Sequence, residues 1–102
     1  MPNMKAILLL YEKYPDAYGN TVEMKIWSVP HTELRPHCLK YSLVYVVDNC
    51  RVVGYDNETG KGDHQHIDGI EYPYQFESPS RLRDDFFKDI QAWKEKRYGD
   101  QS

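Results

Sequence analysis

Residues 41–56, which read YSLVYVVDNCRVVGYD, decide the fold of this chain. The segment contains two runs rich in Val and Tyr, residue types that favour a pleated strand. Asp48 and Asn49 separate the runs, and both tolerate the positive φ angles of a tight two-residue turn. The pattern therefore predicts an antiparallel hairpin. In a regular hairpin the facing pairs are Val47 with Cys50, Val46 with Arg51, Tyr45 with Val52, and Leu43 with Gly54.

Two further strands precede this hairpin. Residues 5–14 are rich in Ile, Leu and Tyr, and their continuously apolar middle predicts a strand that is buried on both faces. Residues 21–29 alternate instead: Val22, Met24 and Ile26 face one way, and charged residues face the other. This alternation predicts a strand with one face in water.

Short strands and one helix follow the hairpin. Residues 64–67 and 70–76 can each form a short strand, with Asp68-Gly69 as a turn between them. Ser78 suits the N-cap of a helix, Pro79 suits its first position, and Gly99 suits its end. The apolar stripe of this helix consists of Leu82, Phe86, Ile90 and Trp93. We therefore predict an α+β domain, in which one C-terminal helix packs on one face of an antiparallel sheet of about five strands.

Length and charge narrow the class of protein. The 102 residues suit a single domain, residues 1–102, with its core at about 5–97. A net charge of −3 argues against nucleic-acid binding driven by overall charge, although 13 Lys and Arg leave room for a local basic cleft. Cys38 and Cys50 form no close pair, so we expect reduced thiols in a cytoplasmic protein. The longest apolar run, residues 6–10, is too short to cross a membrane.

A polar segment directly after the hairpin is the candidate active site. Residues 60–66 read GKGDHQH. His64 and His66 are two residues apart, so on a strand both imidazoles point to one side. Gly60 and Gly62 allow the backbone N–H groups to approach an anion, and Lys61 adds a positive charge between them.

These residue types suit cleavage of an RNA phosphodiester without a cofactor. His64 and His66 titrate near neutrality, so one can serve as base for the 2′-hydroxyl and the other as acid for the leaving oxygen. Lys61 would stabilise the charge that develops on the phosphorane. The supporting candidates are Tyr55 and Asp56, to orient a histidine or the scissile group, and Gly60, Gly62, Arg51 and Asp63, to bind the substrate.

Two other interpretations stay open from the residues alone. Glycines and polar residues also make an ordinary solvated loop, which a protein partner could contact without any chemistry. The His-x-His pair is also a potential transition-metal site, with Asp63 or Asp56 as the carboxylate ligand. His64, His66 and Asp63 are the set we would expect to bind such a metal.

Several segments resemble the TumE family of toxins. They are residues 41–46 (YSLVYV), 51–57 (RVVGYDN), 60–66 (GKGDHQH) and 73–76 (PYQF), together with a terminal helix that contains Asp85-Phe86. The resemblance covers about residues 5–97. It implies a growth-inhibiting toxin of a bacterial or archaeal toxin–antitoxin module.

The resemblance also implies a partner, a helix-turn-helix antitoxin encoded alongside the toxin. RNA cleavage is the common activity of small toxins in such modules, so RNA is the expected substrate. A second copy of the chain is another candidate partner, because the long apolar first strand can pair across a two-fold axis if it lies at a sheet edge.

Overall fold

The computed structural model describes residues 6–58 and 62–99. It contains one antiparallel sheet in which each strand pairs with its neighbour in sequence, and one helix that follows the sheet. The strands are β1 (Ile7–Pro15), β2 (Thr21–Ser28), β3 (Leu39–Val47), β4 (Cys50–Asp56), β5 (His64–Ile67) and β6 (Ile70–Pro73), and the helix is α1 (Pro79–Tyr98). The α+β class is confirmed.

The sheet has six strands rather than about five. β5 and β6 both form, because Asp68 (φ 49°) and Gly69 (φ 84°) adopt the positive φ angles of a tight turn between them. β6 ends at Pro73, earlier than the predicted end at residue 76. Proline has no N–H to continue a ladder, which accounts for the early end.

The β3–β4 hairpin forms as predicted, with one irregularity. Asp48 (φ 52°) and Asn49 (φ 64°) make the turn, and Val47 faces Cys50. A register shift follows, because Tyr45 pairs with Val53 and leaves Val52 as an extra residue. The predicted pairs of Tyr45 with Val52 and of Leu43 with Gly54 are therefore wrong. A bulge of this kind moves every later side chain of the strand to the opposite face.

The prediction that the first strand is buried on both faces is wrong. β1 lies at the edge of the sheet and pairs only with β2 among the described strands. Its apolar side chains are largely in solvent: Ile7 is 62% exposed, Leu9 57% and Tyr11 52%. An apolar run has no periodicity that separates a buried strand from an exposed edge strand, so position in the sheet decided the outcome.

The core lies between α1 and the face of β2, β3 and β4 that carries alternate apolar residues. The predicted inward positions Val22, Met24 and Ile26 are buried. Leu82, Phe86 and Ile90 cover them from the helix, and Trp93 packs at the margin. The Ser78 Oγ accepts the Arg81 N–H at 3.1 Å, and Gly99 (φ 66°) ends the helix. Both helix boundaries are as the sequence predicts.

Candidate functional site

Three polar side chains from β4 and β5 meet on the face of the sheet opposite the helix. Asp56 of β4 pairs with His64 of β5, and Gly54 pairs with His66. Because residues two apart share a face, both histidines and Asp56 lie on one side, while Val53 and Tyr55 face the helix. We call Asp56, His64 and His66 the Asp–His–His cluster.

The side-chain atoms of the Asp–His–His cluster converge. His64 Nε2 lies 2.8 Å from Asp56 Oδ1, and His66 Nε2 lies 3.5 Å from Asp56 Oδ2. The two imidazole rings meet edge to face with their centroids 4.8 Å apart. The side chains are only 6% exposed for His64 and 12% for Asp56 and His66, so the carboxylate and the imidazoles interact largely out of water.

The close side chains of the Asp–His–His cluster do not form hydrogen bonds with one another. Asp56 Oδ1 and His66 Nε2 are buried, and neither has a hydrogen-bond partner. The 2.8 Å contact between His64 Nε2 and Asp56 Oδ1 is thus close in distance but is not a hydrogen bond. Buried polar atoms without partners are uncommon and costly, so the cluster is arranged for something other than its own internal hydrogen bonding.

The loop before β5 sets the tautomer of His64. His64 Nδ1 lies 3.0 Å from the carbonyl oxygen of Gly62. A carbonyl can only accept, so Nδ1 carries a proton in this bond, and in the neutral ring Nε2 then has a lone pair. Gly62 has φ 83°, a backbone conformation that favours glycine. The predicted role of Gly62 in shaping the loop therefore has a conformational basis.

The ring of His66 is held towards its neutral form. Burial lowers the pKa of His66 below its ordinary value of 6.5, and the positive charge of Arg51 lowers it further. The negative charge of Asp56 raises the pKa of His66, but this effect is smaller than the lowering by burial. His66 is therefore mostly unprotonated at neutral pH, and it can accept a proton or donate a lone pair.

Arg51 reaches the cluster because of the bulge at Val52. Without the extra residue, the side chain of Arg51 would point to the face opposite Gly54 and Asp56. With it, Arg51 shares their face, and its Nη1 lies 3.4 Å from Asp56 Oδ2. The Arg51 side chain is 39% exposed, so the guanidinium borders both the cluster and the solvent.

Asp63 belongs to a second network that the sequence did not predict. Its Oδ1 accepts the Tyr41 hydroxyl at 2.7 Å and lies 3.0 Å from His37 Nε2. The Leu39 N–H donates to His37 Nδ1 at 3.2 Å, so Nε2 carries the proton that bonds Asp63. The network is thus satisfied by its own bonds. Asp63 and His37 are 26 residues apart in sequence, and no local signal indicates the contact.

Asn57 extends this second network along β3. Its Oδ1 accepts the Tyr41 N–H at 3.0 Å, and its Nδ2 donates to the carbonyl of Leu39 at 2.8 Å. Asn57 and Asp63 flank residues 58–62 in the sequence. Residues on both sides of this segment are therefore bonded to β3, and Asp63 directly precedes β5.

Tyr55 lies on the other side of the sheet from the histidines. Its hydroxyl donates to Asp89 Oδ2 of α1 and accepts from Gln65 Nε2 at 2.9 Å. Burial, with the neighbouring Asp89 carboxylate, raises the pKa of Tyr55 far above its usual range. Tyr55 therefore joins the sheet to the helix, and it does not contact the imidazole rings.

The sequence-predicted site residues thus separate into three groups. The structure brings His64, His66, Asp56 and Arg51 together and places Tyr55 and Asp63 in other networks. Gly60 and Lys61 lie outside the described residues. The carboxylate that joins the histidines in a potential metal set is Asp56, not Asp63, since one ligand atom from each of Asp56, His64 and His66 lies within 4.8 Å of the others.

The fold and the cluster define a small α+β domain with a candidate catalytic centre on the open face of its sheet. Comparison with protein families identifies its kind: the family model described as Toxin TumE matches residues 11–94, and the chain belongs to the TumE family. The match includes the whole Asp–His–His cluster. Neither the curated proteins nor the solved structures contain a match to this chain. Within residues 6–58 and 62–99, no helix is long and apolar enough to span a lipid bilayer.

Proposed function

We propose that this TumE-family toxin inhibits growth by cleaving cellular RNA in the cytoplasm, with the Asp–His–His cluster as the reacting centre. The observation that carries the proposal is the convergence of two imidazoles and one carboxylate at a largely buried site, beside an arginine that is open to solvent. Groups with perturbed pKa values in such an arrangement are candidates for function.

Internal attack on a phosphodiester accounts for the residue types. The ribose 2′-oxygen attacks phosphorus, and its proton passes to neutral His66. The bond from phosphorus to the 5′-oxygen breaks, and the Nε2 proton of His64 in its imidazolium form neutralises that oxygen. The products are a 2′,3′-cyclic phosphate and a 5′-hydroxyl. Asp56 orients the imidazoles, while the Arg51 guanidinium stabilises the phosphorane. We assign phosphate binding to Gly60, Lys61 and Gly62 on residue type.

A second candidate function is metal-dependent phosphoester hydrolysis at the same residues. It is favoured by one specific observation: both Nε2 atoms turn inward to Asp56, and Asp56 Oδ1 and His66 Nε2 have no hydrogen-bond partner. Imidazoles that only transfer protons would be expected to turn a nitrogen towards the substrate. A chelator separates the two functions, because only metal-dependent cleavage is abolished by it.

The proposed partners are a helix-turn-helix antitoxin encoded alongside and a second copy of this chain. The antitoxin follows from membership of a toxin family. The homodimer is supported by β1, which pairs only with β2 among the described strands and has exposed Ile7, Leu8 and Leu9. Pairing two such edges across a two-fold axis would cover these side chains.

The test of the proposed function is induced expression in a bacterium, with growth and RNA integrity followed together. Wild type is compared with the double variant His64→Ala/His66→Ala and with His31→Ala, which removes an exposed histidine remote from the cluster in sequence. Wild type and His31→Ala are expected to arrest growth and fragment RNA, and the double variant is expected to do neither. Circular dichroism of the purified proteins checks folding. A folded double variant that still fragments RNA would overturn the proposal.

A further inference from the structure

Three atoms of the Asp–His–His cluster that can each donate an electron pair lie close together. The Nδ1–H of His64 donates to the carbonyl of Gly62, so in the neutral ring His64 Nε2 has a lone pair. His66 Nε2 and Asp56 Oδ1 are buried and have no hydrogen-bond partner among the described residues. When both rings are unprotonated at Nε2, a cation held between the three atoms would satisfy all of them.

The spacing of these atoms fits a metal ion. Ligand atoms about 2.1 Å from a tetrahedral Zn²⁺ lie about 3.4 Å from one another. His64 Nε2 and His66 Nε2 lie 2.8 and 3.5 Å from the two oxygens of Asp56, and the set falls within 4.8 Å. The widest separation in the set exceeds the tetrahedral value by more than about 1 Å, so the side chains must rotate to centre the three atoms on one ion.

The surroundings of His64 match those of a metal-binding histidine. Such a histidine almost always donates its second ring N–H to a carboxylate or a backbone carbonyl, which fixes the ring and the tautomer. The bond from His64 Nδ1 to Gly62 has this form. By contrast, His37 uses Nδ1 to accept from Leu39 and Nε2 to bond Asp63, so that pair has no free nitrogen lone pair for a metal.

We propose that Asp56, His64 and His66 bind one divalent transition-metal ion, with Zn²⁺ the best match to two imidazoles and a carboxylate. Mg²⁺ and Ca²⁺ prefer oxygen ligands and fit this set poorly. Three protein ligands leave a coordination position open, which is typical of catalytic sites, where a bound ion lowers the pKa of a water molecule or polarises a phosphoryl oxygen.

The proposal rests on the second candidate function, metal-dependent phosphoester hydrolysis, and deepens it, because an ion would occupy the imidazole nitrogens that metal-free cleavage needs. Metal binding can be measured without RNA. If the protein binds the ion and leaves RNA intact, this inference stands and RNA is not the target. If the protein cleaves RNA in the presence of a chelator and binds no ion, RNA cleavage stands and this inference is wrong.

The test uses the full chain, stripped of metal with a chelator and dialysed, and titrated with ZnCl₂ in a calorimeter. We expect one ion per chain and a rise in thermal midpoint that EDTA reverses. His66→Gln and Asp56→Asn should each weaken binding by at least about a hundredfold, since even outer-shell changes cost ten- to a hundredfold. His31→Gln is the control and should bind as wild type does, and Asp63→Asn, which keeps an oxygen to accept from Tyr41, should lose far less affinity than Asp56→Asn.

A spectroscopic measurement on the wild type keeps the test decisive if a cluster variant fails to fold. Co²⁺ in a four-coordinate site of nitrogen and oxygen ligands absorbs visible light much more strongly than hydrated Co²⁺ does. We expect this absorption to appear at one equivalent of Co²⁺ and to disappear when Zn²⁺ displaces it. Binding that needs Asp63 but not Asp56, or the absence of stoichiometric binding, would overturn the proposal.

Discussion

The side chain of Arg51 lies directly over Gly54, so that a Cβ added at Gly54 would stand 2.7 Å from Arg51 Cδ. Real Cβ atoms do not approach another atom so closely. The absence of a side chain at Gly54 therefore gives Arg51 the space to reach Asp56. The bulge at Val52 places Arg51 on the same face of the sheet as Gly54 and Asp56.

Replacing Gly54 by alanine is expected to displace the guanidinium of Arg51 from Asp56. The displaced atoms belong to a flexible side chain, so the free energy of unfolding should fall by only about 1 kcal/mol. The loss of RNA cleavage should equal that of Arg51→Ala. Urea denaturation and cleavage of a labelled RNA measure the two effects. Gly54→Ala should add nothing in an Arg51→Ala background, and a further loss there would show that Gly54 has another role.

Replacing Tyr55 by phenylalanine tests whether this tyrosine belongs to the core rather than to the reacting centre. The change removes a hydroxyl that bonds Asp89 and Gln65, and we expect the free energy of unfolding to fall by about 1–2 kcal/mol. RNA cleavage per folded molecule should be unchanged. Tyr72→Phe, at an exposed position of β6, is the matched control. A selective loss of cleavage in a stable Tyr55→Phe protein would contradict this placement.

The bond from Tyr41 to Asp63 is expected to appear as an energetic coupling. Tyr41→Phe and Asp63→Ala each remove one partner of the 2.7 Å hydrogen bond. Because each leaves the other buried group short of a partner, the double variant should be less destabilised than the sum of the singles, by about 1–2 kcal/mol. Chemical denaturation of the four proteins measures the cycle. Strictly additive effects would mean that this bond does not join Asp63 to β3.

Tyrosine ionisation should be linked to unfolding at alkaline pH. Burial is the largest of the causes that raise the pKa values of Tyr41, Tyr45, Tyr55 and Tyr74, and each also donates to a neighbouring carboxylate. A raised pKa in the folded state contributes stability that is complete below the unfolded value near 10 and is lost as pH rises above it.

Ultraviolet titration of the phenolate band checks this linkage. We expect Tyr41, Tyr45, Tyr55 and Tyr74 to ionise only together with the loss of the circular dichroism signal. Ionisation of every tyrosine in a protein that stays folded would contradict the buried hydrogen bonds.

Positive charge on β1 is expected to prevent the proposed self-association. The double variant Ile7→Lys/Leu9→Lys places two lysines on an exposed edge strand, where like charges from two copies would repel. Light scattering after size-exclusion chromatography should give the mass of a monomer for this variant and of a dimer for wild type. Leu34→Lys, at an exposed loop position, should stay dimeric. A monomeric wild type would refute the edge-pairing homodimer.

Local sequence was enough for the type of most elements and for the boundaries of the helix. The β3–β4 turn, the helix from Ser78 to Gly99 and the inward face of β2 all follow from residue type and spacing, and the structure confirms each. His64 and His66 on one face follow from the period of a strand in the same way. These features depend on interactions within a few residues, which is why one sequence can reveal them.

Tertiary structure decided which residues join the two histidines. A single extra residue at Val52 moved Arg51 to the face of Asp56, and the pairing of β4 with β5 placed Asp56, rather than Asp63, against the imidazoles. The side chains of β1 are exposed because the strand lies at the edge of the sheet. Asp63 contacts His37, which is 26 residues away in the sequence. Strand register and long-range hydrogen bonds depend on the packing of the whole sheet. The sequence alone therefore determined the elements and the candidate histidines, and the assembled sheet determined which other residues form the site.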